Sequence, residues 1–147
     1  MSAAARAKPP ATPFLQLKDN IMWTWSQSTG ALSRDGIVLA RGYSGRDAGK
    51  NNPAMEAVRG VGPIPQGKWK IGAPYDSKSV GPYALRLTAI DARPDDDVHQ
   101  GTGRSAFRIH GDSIAHPGTA SRGCIILPRA VRRQIWMSGD RELLVVA

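Results

Sequence analysis

Short runs that alternate bulky and polar residues, separated by segments that contain glycine or proline, recur along this chain of 147 residues. Residues 21–26 and 83–88 show this period of two, which is typical of half-buried strands. Asp35-Gly36 precedes the apolar run 37–40, and this pair favours a two-residue hairpin. Together with 16 glycines and 11 prolines, the pattern favours many short strands and tight turns over a helical bundle.

Further segments complete a mainly β domain. Strands are predicted at 68–71, 106–109 and 143–146, the last of them fully buried. Asn52-Pro53 predicts a single helical turn, and Pro128 predicts the start of a helix that continues to Trp136. We therefore expect a flexible tail over residues 1–20 and one mainly β domain with a single helix over residues 21–147.

The chain is basic, with 20 Lys and Arg against 12 Asp and Glu and a formal net charge of +8. Such an excess suits an anionic partner, which can be a nucleic acid, a membrane surface or an acidic polymer such as a cell wall. The charges are dispersed, however, and no nucleic-acid signature is present. Neither a membrane span nor a secretory signal is predicted, so we expect synthesis in the cytoplasm without a signal peptide.

Cys124 is the single cysteine of the chain. It has no partner for an intrachain disulfide and cannot belong to a four-cysteine zinc site, which leaves a buried structural thiol or a nucleophile. His110 lies fourteen positions upstream, at the end of a predicted strand, and can serve as a base for the thiol.

The neighbours of Cys124 suit thiol chemistry. A thiol reacts as the thiolate, and His110 and Arg122 can lower its pKa. Gly123 allows a sharp turn, so that the amides of Cys124 and Gly123 can face a developing oxyanion. The tautomer of the base requires a third group, for which Asp112 and the backbone carbonyl of Gly111 are both candidates.

Other assignments of the polar residues remain open from the residues alone. His116 can replace His110 as the base if its loop folds back, although a strand end holds a base better than a loop does. A metal site formed by His110, Asp112, His116 and Cys124 is a weaker alternative because the spacing is irregular, and the sequence predicts neither a metal nor a cofactor. His99 is expected to be exposed and inert.

Several motifs resemble known families. His110-Gly111 followed by Ser121-Arg122-Gly123-Cys124-Ile125 resembles the signature of YkuD-like L,D-transpeptidases. The chain is also similar to the type VI secretion L,D-transpeptidase effector family over four longer segments, namely residues 23–30, 49–55, 61–67 and 110–121.

The resemblance implies a mixed β-sandwich or barrel of the L,D-transpeptidase type. It implies that Cys124 is the nucleophile, with His110 as its base and Gly111 in the catalytic motif. Ser121, Arg122 and Gly123 would line the acyl pocket. Many L,D-transpeptidases have histidine at the position of Arg122, and we expect this difference to tune the substrate preference and the thiolate.

The resemblance also implies a substrate and a setting. The family attacks peptidoglycan tetrapeptide stems after meso-diaminopimelate, which trims the stem or exchanges its terminal D-amino acid. Such a toxin acts in the periplasm of a target cell, and it has a cognate immunity protein and a spike or adaptor of the secretion machine as partners. No nucleic-acid partner and no membrane span are expected.

Two other functions fit the residues. A basic binding module for cell wall or nucleic acid would need Cys124 only as a structural residue. A cysteine peptidase would use the same His and Cys pair on proteins.

Overall fold

The computed structural model describes residues 22–93 and 96–147. The predicted tail, residues 1–20, therefore lies outside the described residues. The strands are β1 (Trp23–Ser26), β2 (Ala31–Arg34), β3 (Ile37–Arg41), β4 (Tyr43–Ser44), β5 (Gly67–Ser77), β6 (Gly81–Ala89), β7 (Phe107–His110), β8 (Ile125–Ile126) and β9 (Glu142–Val146). One α-helix, α1 (Arg129–Met137), precedes β9, and two 3-10 helices span Asp47–Gly49 and Pro53–Met55.

These strands form one sheet in the order β3-β2-β1-β9-β5-β6-β7-β8-β4. Its pairs are antiparallel except for β9 with β1 and β8 with β7. Asp35 and Gly36 both have positive φ, of 54° and 75°, as the predicted two-residue hairpin between β2 and β3 requires. For residues 22–93 and 96–147, the mainly β class with one helix is confirmed.

Strand β9 lies in the middle of the sheet, where it pairs with β1 on one side and β5 on the other. Its burial alternates, because Leu143 and Val145 face the core whereas Leu144 is half-buried. The expectation of a fully buried final strand is thus wrong. A strand between two neighbours has its backbone satisfied on both edges, but its two faces still differ.

Three tryptophans dominate the core. Trp23, Trp25 and Trp69 are at most 1% exposed and pack with the aliphatic residues of β5 to β8. Helix α1 covers this core with Ile135. Pro128 is its N-cap residue, so the helix begins one residue after the predicted start. Within the described ranges, no helix combines the length and the apolar character needed to cross a membrane.

Arg132 fastens α1 to the sheet. It is 4% exposed, and its guanidinium donates to the carbonyls of Leu127 (2.6 Å), Tyr83 (2.9 Å) and Pro82 (3.1 Å). A buried charge is tolerated only when its hydrogen bonds are satisfied, and here backbone carbonyls satisfy them.

Replacement of Arg132 should therefore destabilise the fold. We expect Arg132→Ala to lower the free energy of unfolding by about 2–4 kcal/mol, because three carbonyls lose their donor. Arg133→Ala, at an exposed position of the same helix, should change it by less than about 0.5 kcal/mol. Urea unfolding measures both, and equal effects would contradict this role of Arg132.

Candidate functional site

The parallel pair β7–β8 brings the predicted nucleophile and base to one face of the sheet. Ile109 is opposite Ile125 and His110 is opposite Ile126, so continuing the register places Cys124 beside Arg108. Because side chains alternate along a strand, Arg108, His110 and Cys124 share a face. Phe107, Ile109 and Ile125 point the other way, into the core.

The orientation of His110 is fixed by the next residue. His110 is 3% exposed, and its Nδ1 lies 2.8 Å from the carbonyl oxygen of Gly111. A carbonyl only accepts, so Nδ1 carries the proton and Nε2 keeps its lone pair. Burial lowers the pKa of His110, which favours the neutral imidazole.

Asp112, the other candidate for orienting the base, has different contacts. Its carboxylate accepts from the hydroxyl of Tyr43 (2.5 Å) and from the amides of Ser113 (2.8 Å) and Gly118 (3.0 Å). Burial alone would raise the pKa of Asp112, but these hydrogen bonds outweigh it and hold the pKa below its ordinary value. Burial and the Asp112 hydrogen bond raise the pKa of Tyr43 to about 12. Asp112 thus orders the loop that follows His110.

The other two histidines do not line the cavity that contains Cys124. His116 is exposed, and its backbone contacts Ser113 and Thr119. His99 is half-buried and stacks on Trp69 at 5.5 Å, so the expectation that it is exposed is wrong. The aromatic contact, which spans thirty positions of the chain, had no local sequence signal.

A network of hydrogen bonds holds the turn at residues 121–124. The hydroxyl of Ser121 is fully buried, donates to the Cys124 carbonyl (2.6 Å), and accepts from the amides of Gly45 (2.8 Å) and Gly123 (3.0 Å). The hydroxyl of Ser44 donates to the Gly123 carbonyl (2.8 Å).

The two amides expected to face an oxyanion differ in whether they already have a hydrogen-bond partner. The Gly123 amide is occupied by Ser121, whereas the Cys124 amide has no hydrogen-bond partner among the described residues. Only the Cys124 amide is therefore available to a ligand. Ser44 was missed in the sequence because nothing local marks a serine that contacts a glycine 79 positions away.

Arg104 is the second functional residue that the sequence did not reveal. It is 4% exposed, and its guanidinium donates to the carbonyls of Glu56, Pro63, Gly62 and Arg122 at 2.7–3.1 Å. It therefore ties the turn before Cys124 to the segment 56–63. Its position in a polar loop gave no sign that the charge would be buried.

The Cys124 thiol is half-buried, with Sγ 3.8 Å from the carbonyl oxygen of Ala106. Burial raises the pKa of Cys124, and the backbone amide and positive charge of Arg108, together with the charge of Arg104, oppose this only in part. The sequence pointed to Arg122 as the cation beside the thiol. Arg122 instead has an exposed side chain, and its carbonyl is what Arg104 holds.

A cavity of about 530 Å³ contains both candidate catalytic residues. His110, Arg122, Gly123 and Cys124 line it, whereas Gly111, Asp112, His116 and Ser121 do not. Arg59, Arg104 and Arg108 add positive charge, and no Asp or Glu is among the described residues that line the cavity. In residues 22–93 and 96–147, no three His, Cys, Asp or Glu side chains converge as a metal site would require.

The sequence comparisons identify the family. The model of the Tlde1 domain matches residues 38–145, which is most of the chain and includes both His110 and Cys124. The chain belongs to the Tlde1 domain family. The type VI secretion effector family expected from the motifs is thus confirmed. None of the curated proteins matches the chain.

A solved structure supports the fold. The chain is similar to the helical cell shape determining protein Pgp2 from Campylobacter jejuni, with 17% sequence identity and a TM-score of 0.50. The similarity covers 85% of this chain and 45% of that protein, so the chain spans less than half of its length. At this identity the likeness extends to the fold alone.

Gly123 should be irreplaceable in this member of the Tlde1 family. Its φ is +143°, and an added Cβ would lie 2.5 Å from Nη2 of Arg104 and 2.8 Å from Cε1 of Phe107. We expect Gly123→Ala to lower the free energy of unfolding by at least about 2 kcal/mol. The control is Gly36→Ala, where φ is +75° and no described atom outside the two flanking residues lies within 4 Å of an added Cβ, so only the backbone strain of about 1 kcal/mol remains. If urea unfolding ranks Gly36→Ala as the more harmful change, close packing around Gly123 is not what requires a glycine there.

The thiol should be protonated in the resting protein at neutral pH. Since burial raises the pKa of Cys124, we expect alkylation by iodoacetamide to keep accelerating about tenfold per pH unit above the pH at which an ordinary thiol levels off, near 8.5. Urea-unfolded protein provides the reference thiol. A plateau at neutral pH in the native protein would indicate a preformed thiolate instead.

Proposed function

We propose that the protein is a cysteine L,D-transpeptidase and L,D-carboxypeptidase that acts on peptidoglycan tetrapeptide stems. The observation that carries the proposal is the placement of Cys124 and His110 on one face of paired strands, in one cavity. Membership in a family of peptidoglycan-modifying effectors supports the substrate class.

In the first step, Nε2 of His110 accepts the proton of the Cys124 thiol. The sulfur attacks the carbonyl carbon of meso-diaminopimelate that is bonded to the terminal D-alanine, and the carbonyl oxygen becomes negative. The free Cys124 amide is the donor available to this oxyanion. The C–N bond then breaks, the imidazolium of His110 protonates the leaving amine of D-alanine, and a thioester remains on the enzyme.

The fate of the thioester decides the product. Water releases a tripeptide stem, which is L,D-carboxypeptidase activity. A D-amino acid exchanges the terminal residue, and a stem amine forms a cross-link. In each case His110 removes a proton from the attacking nucleophile, and the thiol is regenerated.

Two features suit the starting state to general-base catalysis. Burial raises the pKa of Cys124 and lowers the pKa of His110, so the pair is neutral at rest. A neutral imidazole can accept a proton, and its orientation by the Gly111 carbonyl leaves Nε2 free to do so. The thiolate then forms only as the proton is transferred.

The biological setting follows from the family. We propose delivery by a type VI secretion machine, through a spike or adaptor, into the periplasm of a target cell, where stem trimming weakens the wall. A cognate immunity protein would protect the producing cell. The net charge of +8 suits a polymer rich in carboxylates.

Variants of the pair test the proposal. We expect Cys124→Ala to abolish the conversion of purified tetrapeptide muropeptides into tripeptides, and His110→Ala to slow it by about 10²–10⁴-fold through loss of the base. His116→Ala should retain near-normal turnover, because His116 lies outside the cavity. Mass spectrometry of the muropeptides measures each rate.

The outcomes separate the alternatives. Turnover that survives in Cys124→Ala would refute a cysteine nucleophile and favour a binding role. Cleavage of casein with intact muropeptides would show a protein peptidase. Unchanged activity in His110→Ala, with loss of activity in His116→Ala, would identify His116 as the general base.

A further inference from the structure

Arg108 is a half-buried cation whose side chain has no hydrogen-bond or ion-pair partner among the described residues. Its Nε is buried and makes no hydrogen bond to them, and neither of their ion pairs, Arg34–Asp140 and Arg46–Asp47, includes it. This contrasts with Arg104 and Arg132, whose guanidinium groups are satisfied by backbone carbonyls. An unsatisfied buried donor is costly, and more so on a charged group.

The neighbouring strand does not compensate for the missing hydrogen bond of Arg108. Arg108 is directly opposite Arg86 in the β6–β7 pair, and like charges at opposed positions destabilise a sheet. Arg86 has the ring of Tyr75 beside it, at 5.4 Å, whereas no aromatic ring in the described part of the chain lies over Arg108. Proteins keep destabilising residues mainly at functional sites, so ligand binding explains why an arginine occupies this position.

The position of Arg108 indicates which ligand that is. Arg108 lines the cavity together with His110 and Cys124, shares their face of the sheet, and is next to Cys124 in register. The described residues that line the cavity include no carboxylate to neutralise it. Arg presents a planar fork of donors that matches a carboxylate in a bidentate pair.

We propose that Arg108 binds the terminal carboxylate of the D-amino acid on the leaving-group side of the scissile bond. This inference rests on the proposed function and deepens it. The carboxylate is separated from the scissile amide nitrogen by a single carbon, so a thiol and a guanidinium on neighbouring strands can engage both groups of one substrate. The same site receives the carboxylate of an incoming D-amino acid during exchange, and Arg108 therefore selects stems that end in a free carboxylate.

Alkylation tests the anion site without any peptidoglycan. Iodoacetate and iodoacetamide deliver the same carbon to Cys124, but only iodoacetate carries a carboxylate. We expect Arg108→Gln to lower the ratio of the iodoacetate rate to the iodoacetamide rate by about tenfold, which corresponds to the loss of one charge-assisted contact. Any change in the thiol pKa affects both reagents equally and cancels in the ratio.

Matched variants make the result specific. Arg133→Gln, on the exposed face of α1, should leave the ratio unchanged, and Arg108→Lys should retain part of it. An unchanged ratio in Arg108→Gln would overturn the proposal, as would a loss confined to Arg59→Gln or Arg122→Gln. If Arg108→Gln fails to fold, protection of the wild-type thiol from iodoacetamide by free D-alanine but not by D-alaninamide supports the site, and equal protection overturns it.

Turnover links the site to the substrate. The wild type should prefer a D-alanine-terminated tetrapeptide over its terminal carboxamide in kcat/KM, and Arg108→Gln should lose this preference. A wild type that turns over neither peptide refutes the proposed function, while the alkylation ratio still decides whether Arg108 binds a carboxylate.

Discussion

The pairing of β7 with β8 is the contact on which the site depends. Strand β8 has two residues, yet its parallel register with β7 puts Cys124 beside Arg108 and on the same face as His110. A slip of one residue would turn Cys124 toward the core. So short a strand cannot fix its own register. Strand β4 pairs with its outer edge, and hydrogen bonds hold the residues on either side of it. The Ser44 hydroxyl donates to the Gly123 carbonyl, and the Leu127 amide donates to the His110 carbonyl.

Two buried arginines connect separate segments of the chain through backbone carbonyls. Arg104 and Arg132 each satisfy several backbone carbonyls, so they join loops to the sheet without an acidic partner. A carboxylate beside Arg104 would place a negative charge near the thiol, which becomes a thiolate in the proposed mechanism. Backbone carbonyls fasten the loops while leaving the positive field in the cavity.

The sequence was sufficient for features with a local cause. Alternation located β1 and β6, Asp35-Gly36 located a hairpin, and a recognisable motif located the strand that ends at His110, where the base is predicted. Strands β5 and β6 extend beyond their predicted bounds because pairing with each other sustains them past the alternating segments. Arg104 and Ser44 were out of reach, since each acts through carbonyls brought close only by the tertiary fold. The same reason explains why Asp112 orders a loop through Tyr43 instead of orienting His110.

The two arginines whose charges act on the Cys124 thiol differ in their own partners. Both oppose the effect of burial on the pKa of Cys124, but Arg104 is committed to four carbonyls, while Arg108 has no partner in the described ranges. A substrate carboxylate on Arg108 would offset its charge just as the thiol approaches the scissile carbonyl, which leaves Arg104 as the permanent cation. The thiolate in the complex would then be less stabilised than in the free protein. In the proposed mechanism, proton transfer to His110 therefore accompanies the attack, and a neutral resting pair is the state from which this can occur.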